Sequence, residues 1–278
     1  MRVIDSGIRL AIDFDLKLEI YWMKNDDLFC GFEDLFDLNF INQFVSVRVY
    51  ETDKNHESHL QQIKKIIFRK KHFYFNDEIL VNKNINSIYH KAYIDFVKRF
   101  NNVDNYQSLI KSKWSNILSD CDIIGKTYSR FYGPINSNYH YFRLQHLISK
   151  KSFLILNKFP NNVLGVHIRR SDNKIATLTS TRNKFIDSIN WYLKSNPGAK
   201  IFLASDDISE KIYFEKYYAE YIIIYESELV RNKQMGIKDA LLELFCLSHC
   251  SFIIGSYFSS FTEVAICYNK EKDYLILE

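Results

Sequence analysis

The chain has 278 residues, of which 47% are hydrophobic and 25% are charged. A chain of this length forms one large or two medium domains, and this composition excludes long disordered stretches. The formal net charge of +4 is too small to indicate a nucleic-acid partner, although it suits an anionic ligand or a membrane surface. We therefore expect a globular protein with a sizeable core that does not bind nucleic acid.

The cysteines and the apolar runs bear on the cellular compartment. Cys246, His249 and Cys250 in "CLSHC" resemble half of a metal site, but no second Cys/His pair has zinc spacing, so we favour buried thiols. An odd number of scattered cysteines is typical of a reducing compartment; they are Cys30, Cys121, Cys246, Cys250 and Cys267. No apolar run reaches the ~18–20 residues of a membrane span, and no signal peptide is visible, so we expect a cytoplasmic protein.

The first half of the chain is predicted to begin with a helix and a strand. One helical face is predicted near the start, and residues 18–22 are typical of a strand. From about residue 51 to 149 the pattern favours helices, on faces that include Ile63, Ile66, Ile67, Tyr93, Phe96 and Val97. The segment "NKFPNN" (157–162) is predicted as a linker, which divides the chain into domains of residues 1–156 and 157–278.

The second half alternates strands and helices. Short apolar runs are typical of strands buried on both faces, and they span Val163–Ile168, Ile201–Ala204, Tyr221–Tyr225, Phe252–Gly255 and Tyr274–Leu277. Segments of helical period separate these runs. The alternation predicts an α/β domain with a doubly wound, Rossmann-like parallel sheet.

Three polar clusters follow the predicted strands, at His167–Asp172, Ser205–Asp207 and Gly255–Glu263. Ligands of parallel sheets bind at this edge, beyond the carboxyl ends of the strands. The third cluster opens a helix, whose N-terminus favours an anion, and an arginine fork binds two phosphate oxygens. The clusters together predict a site for a phosphate-bearing ligand. Taken singly, each has a simpler interpretation, because arginines also occur in solvated turns, and serines and aspartates in helix caps.

The segment "GVHIRRSD" resembles the His-x-Arg-Arg-x-Asp motif of the fucosyltransferase superfamily, which includes α1,2-, α1,6- and protein O-fucosyltransferases. The resemblance continues, in the family's order, through "YWMKNDDLFCGFEDLF", "FLASDD" and "GIKDALLELFCLSHCSFIIGSYFSSFTEVA", and does not extend to residues 50–150. It implies a GT-B-like fold of two Rossmann-like domains. The irregular, helix-rich N-terminal domain would be on the acceptor side, and the C-terminal domain would bind the nucleotide sugar.

The resemblance also implies an activity and a set of site residues. The activity would be inverting, metal-independent transfer of fucose from GDP-fucose to a glycan acceptor, in bacterial glycan biosynthesis. Arg169 would contact the β-phosphate and stabilise the charge that develops on the leaving diphosphate. His167 and Asp172 would orient Arg169 or contact the nucleotide. The other nucleotide-sugar-binding residues would be Arg170, Asp206, Asp207, Ser256, Tyr257, Ser259, Ser260 and Glu263.

Glu243 occupies the position at which the family has an acid facing guanine. A carboxylate can accept hydrogen bonds from the N1–H and the amino group of that base. The alternative interpretation of Glu243 is a solvated residue on a helix.

The sequence departs from the family pattern at two points. The α1,6 enzymes have a glutamate, a candidate base, ten residues after the motif histidine, where this chain has Thr177, and no acidic residue lies between Asp172 and Asp187. Family members also begin with a strand and a Gly-x-Gly-Asn-Arg/Gln loop, whereas Met1–Ile4 already resembles the helix that follows this loop. We therefore expect an N-terminal truncation and leave the base unassigned.

Two further hypotheses stay open at this point. One is a transferase that uses another nucleotide sugar, and the other is a catalytically inactive relative that binds a nucleotide or a glycan. Neither a cofactor nor a metal is expected, and the composition leaves a peripheral contact with a membrane open.

Overall fold

The computed structural model describes residues 1–53, 72–76, 80, 83–99, 103–118, 122–127, 129–268 and 273–278. The chain forms two compact units, and the first comprises Met1–Asn25 with Leu38–Ser137. The second comprises Asp26–Asp37 with Asn138–Glu278. The predicted boundary between residues 156 and 157 therefore lies inside the second unit, while the roles that we attached to the two domains stay predictions.

The first unit contains helices and two pairs of parallel strands. Its helices are Arg2–Asp13, Leu38–Ile41, Ile85–Val97 and Val103–Ile117, and its strands are β1 (Leu18–Lys24), β2 (Val47–Asp53), β3 (His72–Asn76) and β4 (Asp122–Lys126). β1 pairs with β2, and β3 pairs with β4. The predicted first helix and first strand are confirmed. The expectation of a mostly helical segment 51–149 is wrong in part, because β3 and β4 lie within it; Ile63, Ile66 and Ile67 lie outside the described residues.

A buried polar network fixes the first helix to the end of this unit. Asp5 is fully buried, and its carboxylate accepts hydrogen bonds from Arg130 Nη1 at 2.8 Å and from Ser137 Oγ at 2.7 Å. Ser6 Oγ accepts a hydrogen bond from the Phe131 N–H at 3.2 Å. A buried charge is costly unless it is paired and hydrogen-bonded, so these contacts hold residues 130–137 in one place on the helix.

The second unit is built on a five-stranded parallel sheet with the order β7-β6-β5-β8-β9. The strands are β5 (Val163–Ile168), β6 (Lys200–Ser205), β7 (Ile222–Ile224), β8 (Phe252–Ser256) and β9 (Asp273–Leu277). The helices are His146–Leu156, Lys174–Thr179, Arg182–Ser195, Ile208–Tyr218, Gln234–Ser248 and Ser260–Tyr268. All the strands predicted in this half are confirmed. The strand order reverses between β5 and β8, which is where open α/β sheets bind their ligands.

Successive residues of β5 pack against different helices, so helices cover both faces of the sheet. Leu164, Val166 and Ile168 share a core with residues of the helices Arg182–Ser195 and Ile208–Tyr218. On the opposite face, a Cβ atom added to Gly165 would lie 2.8 Å from Leu247 Cδ1. The doubly wound arrangement predicted for this half is therefore present.

Gly255, the residue before the last one of β8, allows one helix to approach the sheet closely. A Cβ atom at Gly255 would lie only 2.1 Å from Thr262 Cγ2. In the segment 157–162 the Phe159 ring packs on that of Phe202, with 5.3 Å between the ring centres. This segment joins a helix to β5 within the second unit, and its role as an interdomain linker stays a prediction.

Candidate functional site

The three polar clusters predicted from the sequence meet at the carboxyl edge of the second unit's sheet. The Arg169 N–H donates to Ser256 Oγ at 2.9 Å, which joins the ends of β5 and β8. The Arg170 N–H donates to Asp206 Oδ1 at 2.8 Å, which joins the ends of β5 and β6. The strand register brings the three clusters together, since His167 is paired with Ala204 of β6 on one side and with Gly255 of β8 on the other.

The Arg169 guanidinium lies between two carboxylates at this edge. Its Nη1 atom is 2.9 Å from Asp206 Oδ2, its Nη2 atom donates to Asp172 Oδ1, and its side chain is 18% exposed. Burial alone would raise the pKa of Asp206, but the hydrogen bond from Ser171 and the charge of Arg169 hold this pKa below its ordinary value. Asp206 is therefore ionised at neutral pH and anchors one side of the arginine fork.

A second arginine shares the carboxylate of Asp172. Arg231 Nη1 lies 3.1 Å from Asp172 Oδ2, and the two side chains are 41% and 54% exposed. Arg231 belongs to the loop that precedes the helix Gln234–Ser248. Sequence reasoning missed this residue because the loop has no periodicity and Arg231 lies outside the motif. The edge therefore presents two guanidinium groups on either side of one exposed anion.

His167 lies beneath this edge rather than on it. Its ring stacks on Phe261 at 4.5 Å, and its Nδ1 atom lies 2.8 Å from Thr262 Oγ1. Burial, together with the charges of Arg169 and Arg170, lowers the pKa of His167 to about 3. The imidazole is therefore neutral at physiological pH, and its contacts favour a role in positioning the end of β5. Its direct part in catalysis stays a prediction.

The buried imidazole has a consequence for stability in acid. Because the pKa of His167 is about 3 in the fold and ordinarily 6.5, the unfolded chain binds more protons between these values. The contribution of this group is fully present above pH 6.5 and is lost as the pH falls toward 3. We expect the free energy of unfolding, measured by urea titration, to fall by up to about 1.4 kcal/mol per pH unit below pH 6.5.

The variant His167→Asn provides the comparison, because its side chain does not titrate in this range. The slope between pH 6.5 and pH 4.5 should be smaller in the variant than in the wild type. Equal slopes would show that His167 titrates normally in the folded protein.

Arg170 points into the fold and not toward the exposed edge. Its Nε atom donates to Glu210 Oε1 at 2.9 Å, and its Nη1 atom donates to the Ser180 and Arg169 carbonyls at 3.0 and 3.1 Å. Its guanidinium also lies 5.7 Å from the centre of the Phe185 ring. These contacts occupy the arginine with protein groups, so the geometry favours a structural role over contact with a nucleotide.

Most hydroxyl and carboxyl groups of the other predicted residues bind backbone. Asp207 caps the helix Ile208–Tyr218 through a 2.7 Å hydrogen bond from the Ser209 N–H, and Ser256 Oγ donates to the His167 carbonyl at 3.3 Å. Ser259 Oγ accepts from the Thr262 N–H at 3.5 Å. The capping interpretation is therefore correct for Asp207 and Ser259, whereas their contact with a nucleotide sugar stays a prediction.

The turn after β8 places the remaining predicted residues at the start of the last helix. The Tyr257 N–H donates to Ser180 Oγ at 2.8 Å. Phe258 adopts a φ of 54°, and its carbonyl accepts a 2.8 Å hydrogen bond from Asn173 Nδ2. A left-handed conformation in an aromatic residue is strained and is typical of functional turns. Ser260 is exposed at the first position of the helix, and Glu263 is buried in its first turn.

Glu243 is buried in an ion pair. It is 4% exposed, and its Oε1 atom lies 2.5 Å from Lys211 Nζ and 3.1 Å from Ser227 Oγ. Burial raises the pKa of Glu243 to about 7, against the opposing charge of Lys211. The alternative of a solvated helix residue is therefore wrong. The geometry also disfavours contact with guanine, because a buried lysine already occupies the carboxylate.

Thr177 cannot replace the glutamate that the α1,6 enzymes have at this position. Its Oγ1 atom donates to the Arg170 carbonyl at 3.0 Å and lies 3.1 Å from the Asn173 carbonyl. A hydroxyl bound in this way cannot act as a general base toward an incoming sugar hydroxyl.

The "CLSHC" segment holds buried thiols, as predicted. Cys246 Sγ lies 3.9 Å from the Ser152 carbonyl, and Cys250 Sγ lies 3.6 Å from the Cys246 carbonyl. His249 Nδ1 is 2.8 Å from the Phe245 carbonyl. Among the described residues, no group of three or more His, Cys, Asp or Glu side chains could hold a metal ion. Cys121 lies outside the described residues.

No family model and no curated protein matches this sequence. Solved structures do match it in fold. NodZ α1,6-fucosyltransferase soaked with GDP-fucose superposes with a TM-score of 0.59 at 14% identity, over 95% of this chain and 86% of that one. NodZ from Bradyrhizobium gives a TM-score of 0.55 at 14% identity, over 92% and 84%. POFUT1 in complex with GDP gives 0.54 at 12% identity, over 98% and 92%. The chain therefore has the mixed α/β fold of the fucosyltransferases NodZ and POFUT1, as the sequence resemblance predicted.

Proposed function

We propose that the protein is an inverting glycosyltransferase that transfers fucose from GDP-fucose to a glycan acceptor without a metal ion. The observation that carries this proposal is the Arg169 fork, held between Asp172 and Asp206 at the carboxyl edge of a sheet in the fucosyltransferase fold. POFUT1, which has the same fold, has been solved in complex with GDP and with GDP-fucose, and NodZ has been soaked with GDP-fucose, which supports this donor.

The site chemistry suits departure of a diphosphate. When the bond between sugar and phosphate breaks, negative charge develops on the diphosphate oxygens and requires a cation placed in advance. Arg169 provides this cation, and its planar fork can bind two oxygens at once. Asp172 is an exposed anion between Arg169 and Arg231, so a phosphate group can replace it and take hydrogen bonds from both arginines. The N-terminus of the helix Ser260–Tyr268, where Ser260 is exposed, adds a partial positive charge at the same edge.

The acceptor hydroxyl would be activated from outside this cluster. Thr177 is bound to backbone carbonyls, and Asp206 is engaged by Arg169 and by the Arg170 N–H. A sugar with oxocarbenium-like character is a strong electrophile, which reduces the demand for a strong base. We propose that stabilisation of the leaving group contributes most of the rate acceleration.

A second candidate is a transferase for another nucleotide sugar. The buried pair of Glu243 and Lys211 favours it, since the acid that would face guanine in the family is occupied here by a lysine. The diphosphate cluster would be unchanged, and only the base and the sugar would differ. The departure at Thr177 is the observation that favours an inactive nucleotide-binding relative.

Calorimetry on the purified protein distinguishes these candidates. GDP, UDP and CMP are titrated separately in EDTA, and we expect GDP to bind at least tenfold more tightly than the others. Tighter binding of UDP would support the second candidate. The same samples are incubated with GDP-fucose, and release of free fucose is measured; GDP binding without any release or transfer would indicate an inactive relative.

The proposed compartment is the cytoplasm. Cys30, Cys246, Cys250 and Cys267 are buried free thiols, which suits a reducing environment. Within the part of the chain that the structure describes, no helix is long and apolar enough to cross a bilayer.

A further inference from the structure

The helix His146–Leu156 has one side that no described residue covers. Its other side packs against the helix Gln234–Ser248, where Ile148 and Ser152 are buried. On the uncovered side Leu147 is 72% exposed and Leu154 is 60% exposed. These residues are seven positions apart, which places them on one face two turns from each other. Leaving two leucines in water is unfavourable, so this face suits an apolar contact.

The same face is strongly basic. Lys150 and Lys151 lie between the two leucines, Lys158 follows one turn beyond Leu154, and all three lysines are exposed. We call the set Leu147, Lys150, Lys151, Phe153, Leu154 and Lys158 the basic helix face. None of its lysines pairs with a carboxylate among the residues that the structure describes. The sequence contributes to this, because no Asp or Glu occurs between Asp122 and Asp172 and none can therefore lie one turn away on this helix.

Another exposed apolar helix of this unit differs in charge. Ile208 and Ile212 are each 59% exposed on the helix Ile208–Tyr218, but Glu215 and Lys216 lie on the same helix and offset each other's charge. Exposed apolar side chains alone therefore do not distinguish the basic helix face. Its distinguishing feature is the combination of leucines with unpaired lysines.

We propose that the basic helix face docks on the surface of a membrane that contains anionic lipids. Leucine and phenylalanine side chains gain free energy by entering the acyl boundary, while lysines reach the headgroup phosphates with their long stems. Each lysine near an anionic surface contributes about 1 kcal/mol. A nucleic acid would satisfy the lysines but offers no hydrocarbon for the leucines. This docking is independent of the identity of the donor and of the acceptor.

Vesicle sedimentation tests the proposal. The full chain is mixed with vesicles of phosphatidylcholine alone or with vesicles that also contain about 30% phosphatidylglycerol, which makes their surface strongly anionic. We expect binding only to the anionic vesicles, and loss of this binding at high salt. Lys150→Gln with Lys151→Gln should weaken the partition coefficient by about fivefold per lysine. The double variant Leu147→Ser with Leu154→Ser should also lower the partition coefficient, although its net charge is that of the wild type.

Matched controls come from the other exposed helices. Ile212→Ser removes an apolar side chain that is 59% exposed, similar to Leu154, and Lys194→Gln with Lys216→Gln removes the same charge elsewhere. These controls should bind vesicles like the wild type. Equal losses in controls and test variants, or no binding of the wild type, would overturn the proposal. Sedimentation equilibrium without lipid tests another occupant of this face. If the wild type is a dimer and Leu147→Ser with Leu154→Ser is a monomer, the face binds a second copy of the chain instead of a membrane.

Discussion

Arg169→Ala is expected to lower donor turnover by about 100- to 1,000-fold, the range that loss of one preorganised charge-stabilising donor produces. The fold should persist, because Asp206 keeps its hydrogen bonds to the Arg170 and Ser171 N–H groups when Arg169 is removed. The measurement is release of GDP from GDP-fucose, with thermal unfolding as a check on folding. Arg169→Lys should recover only part of the rate, because lysine keeps the charge but lacks the planar fork.

The matched control for this prediction is Arg182→Ala. Arg182 also pairs with a carboxylate, at 3.0 Å from Glu210 Oε2, but it lies over the Tyr213 ring rather than beside Asp172. Its removal should leave turnover unchanged. Arg231→Ala should weaken GDP binding by about 10- to 150-fold, since a hydrogen bond to a charged group contributes about 1.5–3 kcal/mol. Normal turnover in Arg169→Ala would exclude the proposed role of this residue.

The central strands of the second unit, β5, β6 and β8, were predictable because both of their faces are buried. A run such as Val163–Ile168 is continuously apolar, and burial covers every residue of this strand. The strands of the first unit lack this signal. Tyr50 and Tyr21 are exposed and stack on each other at 5.1 Å across β1 and β2, so this region has the mixed composition of a surface. β1 was nevertheless predicted, whereas the pattern of residues 51–149 favoured helices where the structure has β3 and β4.

The edge of the site was predictable for a similar reason, because parallel strands bring their carboxyl ends together. The direction in which each side chain points was not predictable. Arg169 and Arg170 are adjacent and identical in type, yet one faces the edge and the other reaches Glu210, on the helix Ile208–Tyr218. Such choices depend on partners tens of residues away. Arg231 and Lys211 were missed for this reason, since no local motif connects them to Asp172 or Glu243.

The buried pair of Lys211 and Glu243 is expected to contribute strongly to stability. Lys211→Met leaves the Glu243 carboxylate buried without a cation, so the free energy of unfolding should fall by about 3–5 kcal/mol in a urea titration at pH 7. Lys216→Met, on the exposed side of the same helix, should change it by less than about 0.5 kcal/mol. The loss in Lys211→Met should shrink in acid. Burial raises the pKa of Glu243 above its unfolded value, so protonation stabilises the fold below pH 4.5, and this contribution is lost as the pH rises through about 7.

A double variant then decides what Glu243 does. Replacing both partners, as in Lys211→Met with Glu243→Leu, should restore most of the stability, because an apolar pair of similar volume is often as stable as a buried ion pair. If Glu243 only stabilises the fold, this variant should bind GDP with an affinity close to that of the wild type. The family resemblance predicts the opposite result, since leucine cannot accept the hydrogen bonds of guanine. We expect GDP binding to be retained, because the carboxylate is buried against Lys211 and Ser227. A folded double variant that has lost GDP binding would instead show that the buried pair opens to receive the base.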